Sequence, residues 1–448
     1  MNPTLTAPQD QNPQKHKGFV TNGTLTLFAF TTAFFPRVVA ALKIPSAINF
    51  LHFVAIPFAC GSTLLKARSK DPNQIATSNK ILGGLYFMLT VCFASAFLND
   101  AGVVNALLSF LLLTEPFMLV LTIASLPMST ESYTRFRTWI FRCGMVNLIF
   151  AYVQKYAFRL ERFQGIEDNI KGVFIGQGAG HVIGGSVSIT FGIYYLITAK
   201  SQPLWVRIVI LLATLNHIII SDTKQVMLSF ILGYLLLYLT NLKNPVKTLM
   251  YLIGAAIFLI IFYWAIYNIE YLGGFTVWIR PEIYGPDGEA TRLKLAAFRI
   301  IPQYFHSPLN WLLGLGPGHT VGRLGGWMLD IYWNLLGPLG ATKSPASGAV
   351  WQAVGESWLG DQSSMFSPLF GWAGIWGDLG FLGLAAYFYL AFLIWQYVAP
   401  GDLARYLMFT VFAFGCVFSQ IEEPGYMLFV AALIGLQWHE RKYRMEKS

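Results

Sequence analysis

Residues 208–220 read IVILLATLNHIII and residues 249–263 read LMYLIGAAIFLIIFY, with no Asp, Glu, Lys or Arg in either run. A helix that crosses the hydrocarbon core of a bilayer needs about 20 mostly apolar residues, and both runs lie inside apolar stretches of about that length. The rest of the chain agrees with them. Of its 448 residues, 55% are hydrophobic, 16% aromatic and only 12% charged, where a soluble domain carries about 25% charge. The length alone would suggest roughly three soluble domains of about 150 residues each. Their surfaces would need charges that this chain does not have. The sequence therefore predicts an all-α polytopic membrane protein.

Hydropathy places twelve spans near 19–36, 47–65, 81–98, 102–126, 142–158, 173–198, 205–220, 224–240, 248–267, 373–396, 403–419 and 424–438. The expected organisation is a polar tail (1–18), spans one to nine (19–267), a long loop (268–372), spans ten to twelve (373–438) and a basic tail (439–448). The first eighteen residues hold Pro3, Pro8 and Pro13 and no apolar core before a cleavage-like site, so the first span is expected to direct insertion itself. With the amino terminus inside, the inner segments collect 18 Lys and Arg and the short outer loops seven, Arg37, Lys171 and Lys224 among them. That bias puts both termini in the cytoplasm. It also accounts for the net charge of +9 without a nucleic-acid partner. Cys60, Cys92, Cys143 and Cys416 fall far apart within predicted spans, which implies neither a disulfide framework nor a thiolate metal site.

The loop over 268–372 holds seven of the thirteen tryptophans and sixteen of the 41 glycines. Disordered segments are poor in aromatics, so this loop is expected to be folded, largely helical and functional. Leu293, Leu295, Phe298, Ile301 and Phe305 recur near the helical period and predict an amphipathic helix over 291–306, with Pro302 as a possible kink. Arg292 and Arg299 are two turns apart on it and share a face. Guanidinium matches phosphate oxygens bidentately; the alternative is a surface helix whose arginines meet water or Glu289. Gly314, Gly316 and Gly318 make a tight turn whose amides can approach a phosphate, although the Lys-Ser/Thr of a P-loop is missing. Lys224, in Ser221-Asp-Thr-Lys-Gln225, stands at the outer end of a span, either as a cation beside a diphosphate or as a snorkelling anchor paired with Asp222. Ser221–Lys224, the 159–172 loop, the long loop and Glu422–Glu423 all fall on the outer side and are expected to line one cavity. Glu115, mid-span before Pro116, is an intramembrane carboxylate that either couples to protons or pairs with a polar group of a neighbouring span. The seven histidines form no ligand pair of the His-Glu-x-x-His kind, and no Gly-x-Ser-x-Gly elbow is present.

In this order the pieces resemble the O-antigen ligase and O-antigen polymerase superfamily, the Wzy-like and WaaL-like membrane glycosyltransferases. Ser221–Lys224 looks like the family's Ser-Arg-Thr-like start of a span, with Lys224 where an arginine is usual. Arg292 matches the arginine of the loop helix, Pro308–Gly318 the glycine turn, and Asp378–Gly383 the Glu-x-Gly-x-x-Gly run into the next span. The match covers roughly 220–385, about a third of the chain. Where the family carries a His-Asn pair, this chain offers Ser363, Ser364 or Ser367 and no histidine.

The resemblance implies an inverting, metal-independent glycosyltransferase without a cofactor. It would move an oligosaccharide from a polyprenyl diphosphate to an acceptor glycan at the outer face of a bacterial inner membrane, in cell-surface or exopolysaccharide synthesis. Lys224 and Arg292 would hold the diphosphate, assisted by Arg280, Arg299 and Arg323. His319, just after the glycine turn, is the nearest substitute for the missing histidine as general base; Glu356 and Asp361 compete for that role. The bilayer, the lipid-linked donor, the acceptor and other polysaccharide assembly and export proteins are the expected partners. The rival reading is a transporter or flippase of a lipid-linked sugar with Glu115 as its coupling residue.

Overall fold

The structure, a computed structural model, describes residues 21–66, 71–162, 167–176, 178–240, 245–270, 272–273, 276, 280–360, 366, 368, 370–399 and 401–445. Among these the secondary structure is all helical, with no strand. Twelve longer helices carry the fold: α1 (Asn22–Phe34), α2 (His52–Lys66), α3 (Pro72–Leu98), α4 (Val103–Ser125), α5 (Thr130–Tyr152), α6 (Gly180–Thr198), α7 (Leu204–Ile220), α8 (Lys224–Thr240), α9 (Pro245–Asn268), α10 (Gly371–Tyr397), α11 (Asp402–Gly415) and α12 (Pro424–Met445). A helix thus occupies each of the twelve stretches that hydropathy marks. Six segments, those of α2, α3, α4, α6, α9 and α10, are long and apolar enough to cross a membrane, while α7 and α8 are apolar but shorter.

Local chemistry sets several boundaries. Asp71 accepts hydrogen bonds from the amides of Asn73 and Gln74 at 3.0 and 3.4 Å, and Pro72 follows it, so α3 starts nine residues earlier than hydropathy places the span. Ser129 caps α5 in the same way. At the centre lies α4, buried over most of its length and packed against α2, α3 and α12, whereas the described side chains of α9 face mostly outward. Small residues let helix backbones approach closely. A Cβ added to Gly192 would lie 2.3 Å from the Thr214 hydroxyl, and one on Gly233 would lie 2.5 Å from that of Thr410. These contacts draw α6 onto α7 and α8 onto α11.

The described residues of the long segment between α9 and α10 form short helices that pack on the bundle. The amphipathic helix expected over 291–306 is instead three pieces, Glu289–Lys294, Ala296–Ile300 and a 3-10 turn at Ile301–Tyr304. Leu295, at φ −91° and ψ 1°, interrupts the first pair, and Pro302, which lacks an N–H, tightens the last. The glycine turn also departs from expectation. It seats in a break of α10 at Gly380, whose φ is +65° and ψ −162°. There the amides of Leu315 and Gly316 donate to the carbonyls of Gly377 and Asp378 at 2.8 and 3.0 Å. The Asp378 carboxylate accepts from the amides of Gly318 and Thr320, both at 2.8 Å. These amides bind α10 and cannot cradle a phosphate.

A Cβ on Gly380 would stand 2.3 Å from the carbonyl carbon of Leu312. Its dihedrals also belong to a region open essentially to glycine, where other residues pay on the order of 1–3 kcal/mol. Gly380→Ala is therefore expected to cost at least ~2 kcal/mol, read as a lower thermal midpoint in detergent. An unchanged midpoint would mean that the turn and the break are not interlocked.

Candidate functional site

A cavity of about 730 Å³ opens where the ends of several helices meet, lined by Arg37, Asp168, Lys171, the first turn of α6, Arg323, Trp327, Tyr332, Trp351, Phe418 and Glu423. Three cations reach it from three parts of the chain. Arg37 follows Pro36, which starts a short helix, Pro36–Ala41, at the end of α1. The rings of Phe34 and Phe174 meet edge-on at 5.2 Å and bring that corner against the 167–176 segment.

Lys171 is placed by two amide side chains. After α5 a π turn, Val153–Ala157, aims Gln154 inward. Its carbonyl oxygen accepts from the amides of Lys171 and Gly172, both at 2.8 Å, and its NH2 donates to the Gly172 carbonyl at 2.8 Å. Asn147 accepts from the amide of Val173 at 3.1 Å and donates to the Gly184 carbonyl of α6 at 2.9 Å. Gly172, with φ +59°, makes the corner; a Cβ there would strike the Asn147 side chain at 2.1 Å. The Lys171 ammonium donates to the Gly176 carbonyl at 2.7 Å.

Arg323 is the most enclosed of the three. Its amide donates to Glu422 at 2.6 Å, its guanidinium pairs with Glu423 and stands 4.9 Å from the Trp327 ring, and its buried Nε has no partner. Burial pushes Arg323 down to about 9, and the nearby Arg37 adds to that; Glu422 opposes it. Burial likewise lowers Arg37 and Lys171. Among the described residues Arg37 has no ion-pair partner, so its charge faces the cavity uncompensated. Asp168 is pushed above the ordinary carboxylate range by burial first and by Asp222 second, with Lys171 opposing. It stands 3.6 Å from His181 Nε2, while the buried Nδ1 of His181 has no partner. The amino end of the 19-residue α6 also borders the cavity and adds the positive end of a helix dipole. Cations, a helix amino terminus and indole and phenol walls give this cavity positive charge beside flat aromatic faces.

Behind Arg323, Gly322 separates two carboxylates. A Cβ there would lie 3.3 Å from Glu422 and 3.4 Å from Asp378. Burial raises Glu422 from 4.5 to about 8, and the charge of Asp378 works in the same direction against the hydrogen bond from Arg323. Between those two values the folded protein keeps a proton that the unfolded chain has released. Glu422 thus stabilises fully below about pH 4.5, and its contribution declines until it is gone above about pH 8. Glu422→Gln should flatten the fall of the thermal midpoint between pH 5 and pH 8. An equally steep fall in that variant would assign the dependence to another group.

Of the residues expected to hold the diphosphate or act as base, the structure brings only Arg323 to this cavity, while Glu423 and the 159–172 loop, expected beside it, do line it. Arg292 is exposed and faces Glu289 at 3.6 Å, Arg299 donates to the Arg292 carbonyl at 2.7 Å, and Arg280 is exposed. Lys224 pairs with Asp222 at 2.5 Å, as a snorkelling anchor would. Both ring nitrogens of His319 are engaged, Nδ1 with the Leu315 carbonyl and Nε2 with the Thr342 hydroxyl, each at 2.8 Å. Burial lowers its pKa. Glu356 is exposed and accepts from Gln352 at 2.8 Å, away from the cavity wall. Asp361, Ser363, Ser364 and Ser367 lie outside the described residues. Glu115 pairs with His52, whose Nδ1 sits 2.9 and 2.8 Å from its two oxygens.

Arg37, Asp168, Lys171 and His181 were not singled out as site residues by their local sequence, although the 159–172 loop and Glu423 were expected beside the cavity. The available signal is the glycine-rich run at 176–180 before His181, a second turn of the kind noted at 314–318. No family model matches the chain, and no curated protein matches it either.

Proposed function

We propose that this protein is a membrane glycosyltransferase that moves an oligosaccharide from a polyprenyl diphosphate to an acceptor glycan. In this reading the twelve helices all cross the bilayer, both termini are cytoplasmic, and the cavity faces outward. The observation that carries it is the gathering of Arg37, Lys171, Arg323 and the amino end of α6 around one aromatic-walled cavity at an end of the bundle. A diphosphate leaving group needs fixed positive charge where its own charge develops. Arg37 and Lys171 supply it here, since Arg323 already carries Glu423. Trp327, Tyr332 and Trp351 give sugar rings flat faces.

The acceptor hydroxyl needs a base. Asp168 suits that role better than His319 because it lines the cavity beside Lys171 and its proton affinity is raised by burial. The acceptor oxygen forms a bond to the anomeric carbon while the bond from that carbon to the diphosphate breaks. The hydroxyl proton passes to Asp168, and the diphosphate departs with the electron pair, held by Arg37 and Lys171.

A second reading, a proton-coupled transporter or flippase, draws on the buried His52–Glu115 pair. Purified protein given a lipid-linked oligosaccharide and an acceptor decides between them. Transfer yields an extended glycan and free polyprenyl diphosphate, whereas intact donor after prolonged incubation would overturn the enzymatic reading.

A further inference from the structure

At the other end of the bundle, a second cavity of about 380 Å³ lies between the start of α3 and the ends of α10 and α12. Because α10 and α12 begin near the first cavity and end here, the two are separated by the length of these helices, roughly 30–40 Å for 22 and 27 residues at 1.5 Å each. Three cations line it, Lys80, Arg441 and Lys442, against one acid, Asp71. Lys442 pairs with Asp71 at 3.0 Å and stands 5.6 Å from the Trp438 ring. Lys80 donates to the Tyr397 hydroxyl at 2.7 Å and lies 3.9 Å from that ring. Arg441 is exposed at the rim.

Two further features indicate the kind of anion. Trp438 and Tyr397 stand level with the cations, as aromatic side chains do at a membrane–water boundary. Two helical turns deeper, roughly 10 Å at 1.5 Å per residue, Phe87 of α3 and Tyr389 of α10 meet edge-on at 6.4 Å, with both rings exposed on the outside of the bundle. A ligand with a phosphate in the cavity would therefore lay its tail along an apolar seam of the same two helices.

We propose that this cavity binds the phosphate of an anionic phospholipid from the leaflet at this end of the bundle. Lys80 and Arg441 contact the phosphate, Lys442 is held in place by Asp71, and the acyl chains follow the seam between α3 and α10. Basic pockets between membrane helices are suited to such headgroups, and the excess of two positive charges favours a phosphatidylglycerol over a zwitterionic lipid.

The test uses the full chain in a neutral detergent, with phosphatidylglycerol, phosphatidylcholine or inorganic phosphate added, read by thermal midpoint and by lipid retained per protein. Phosphatidylglycerol should raise the midpoint, since a ligand that binds only the folded state stabilises it, and the other two should leave it unchanged. The Lys80→Gln/Arg441→Gln double variant should bind phosphatidylglycerol more weakly, about fivefold for each cation removed. Loss of the Lys80–Tyr397 contact should lower its lipid-free midpoint slightly, so the lipid-induced rise is read from each variant's own lipid-free value, and Arg441→Gln alone should match the parent without lipid. Arg441→Gln alone alters only an exposed rim residue and serves if the double variant does not fold, with the single-cation loss expected. An equal rise with phosphatidylcholine, a rise reproduced by inorganic phosphate, or full retention of phosphatidylglycerol by the variants would each overturn the proposal.

Discussion

Turnover of a polyprenyl-diphosphate donor is expected to fall by ~10²–10³-fold in Arg37→Ala, the loss typical when one preorganised electrostatic contact to a developing anion is removed. The size of the effect follows from the partners. Arg323 pairs with Glu423 and Lys171 donates to a carbonyl, but among the described residues no acid pairs with Arg37. Its charge is thus the least compensated in the cavity. Arg37→Lys should recover part of the rate, because a point charge replaces the planar fork. Arg292→Ala is the matched control. Its guanidinium is exposed beside Glu289, and a surface pair of that kind is worth little. If Arg292→Ala lost activity while Arg37→Ala kept it at equal expression, the diphosphate site would belong to the long loop, as the sequence pattern alone suggests.

Asp168→Asn should lower the rate of transfer by ~10²–10⁴-fold with donor binding retained, the usual range for losing a general base. The pH profile gives a second check. A carboxylate base works only when ionised, so the parent's rate should fall on the acid side of the raised Asp168 pKa, and that limb should vanish from the residual activity of Asp168→Asn. His319→Ala is expected to behave differently. It breaks bonds to Leu315 and Thr342 that brace the glycine turn, so its midpoint should drop while the turnover of the folded fraction stays close to the parent's. A normal midpoint together with a lost acid limb in His319→Ala would return the base to the histidine.

The helices were legible in the sequence because apolar length and low charge report burial in protein or lipid directly. Their starts were less so. Asp71 and Pro72 extend α3 into a polar stretch that hydropathy discounts, although the capping residues were there to read. The break at Gly380 was not legible, since Gly371–Gly383 reads as a small-residue helix and only the docked turn at 314–318 reveals its purpose. The arginines of 291–306 looked like one helical face because the residues flanking Leu295 keep the helical period even though the backbone does not. The long loop was expected to be folded from its aromatic content; the short helices among its described residues pack on the bundle. Arg37 and Lys171 were visible as cations of short outer loops. Nothing local joined them across more than 130 residues of chain; the contact of Phe34 with Phe174 and the grip of Gln154 on Lys171 are tertiary facts.

Transfer on the cavity side is tested most directly by a sided assay. Protein reconstituted into vesicles is given donor labelled in its sugar, with acceptor on the cavity side only. Label is expected to move onto the acceptor, with free polyprenyl diphosphate accumulating in equal amount and both ceasing in Arg37→Ala. Label that crosses the bilayer still attached to its lipid, with no extended glycan formed and with the crossing abolished by Glu115→Gln, would contradict transfer and establish a transporter instead.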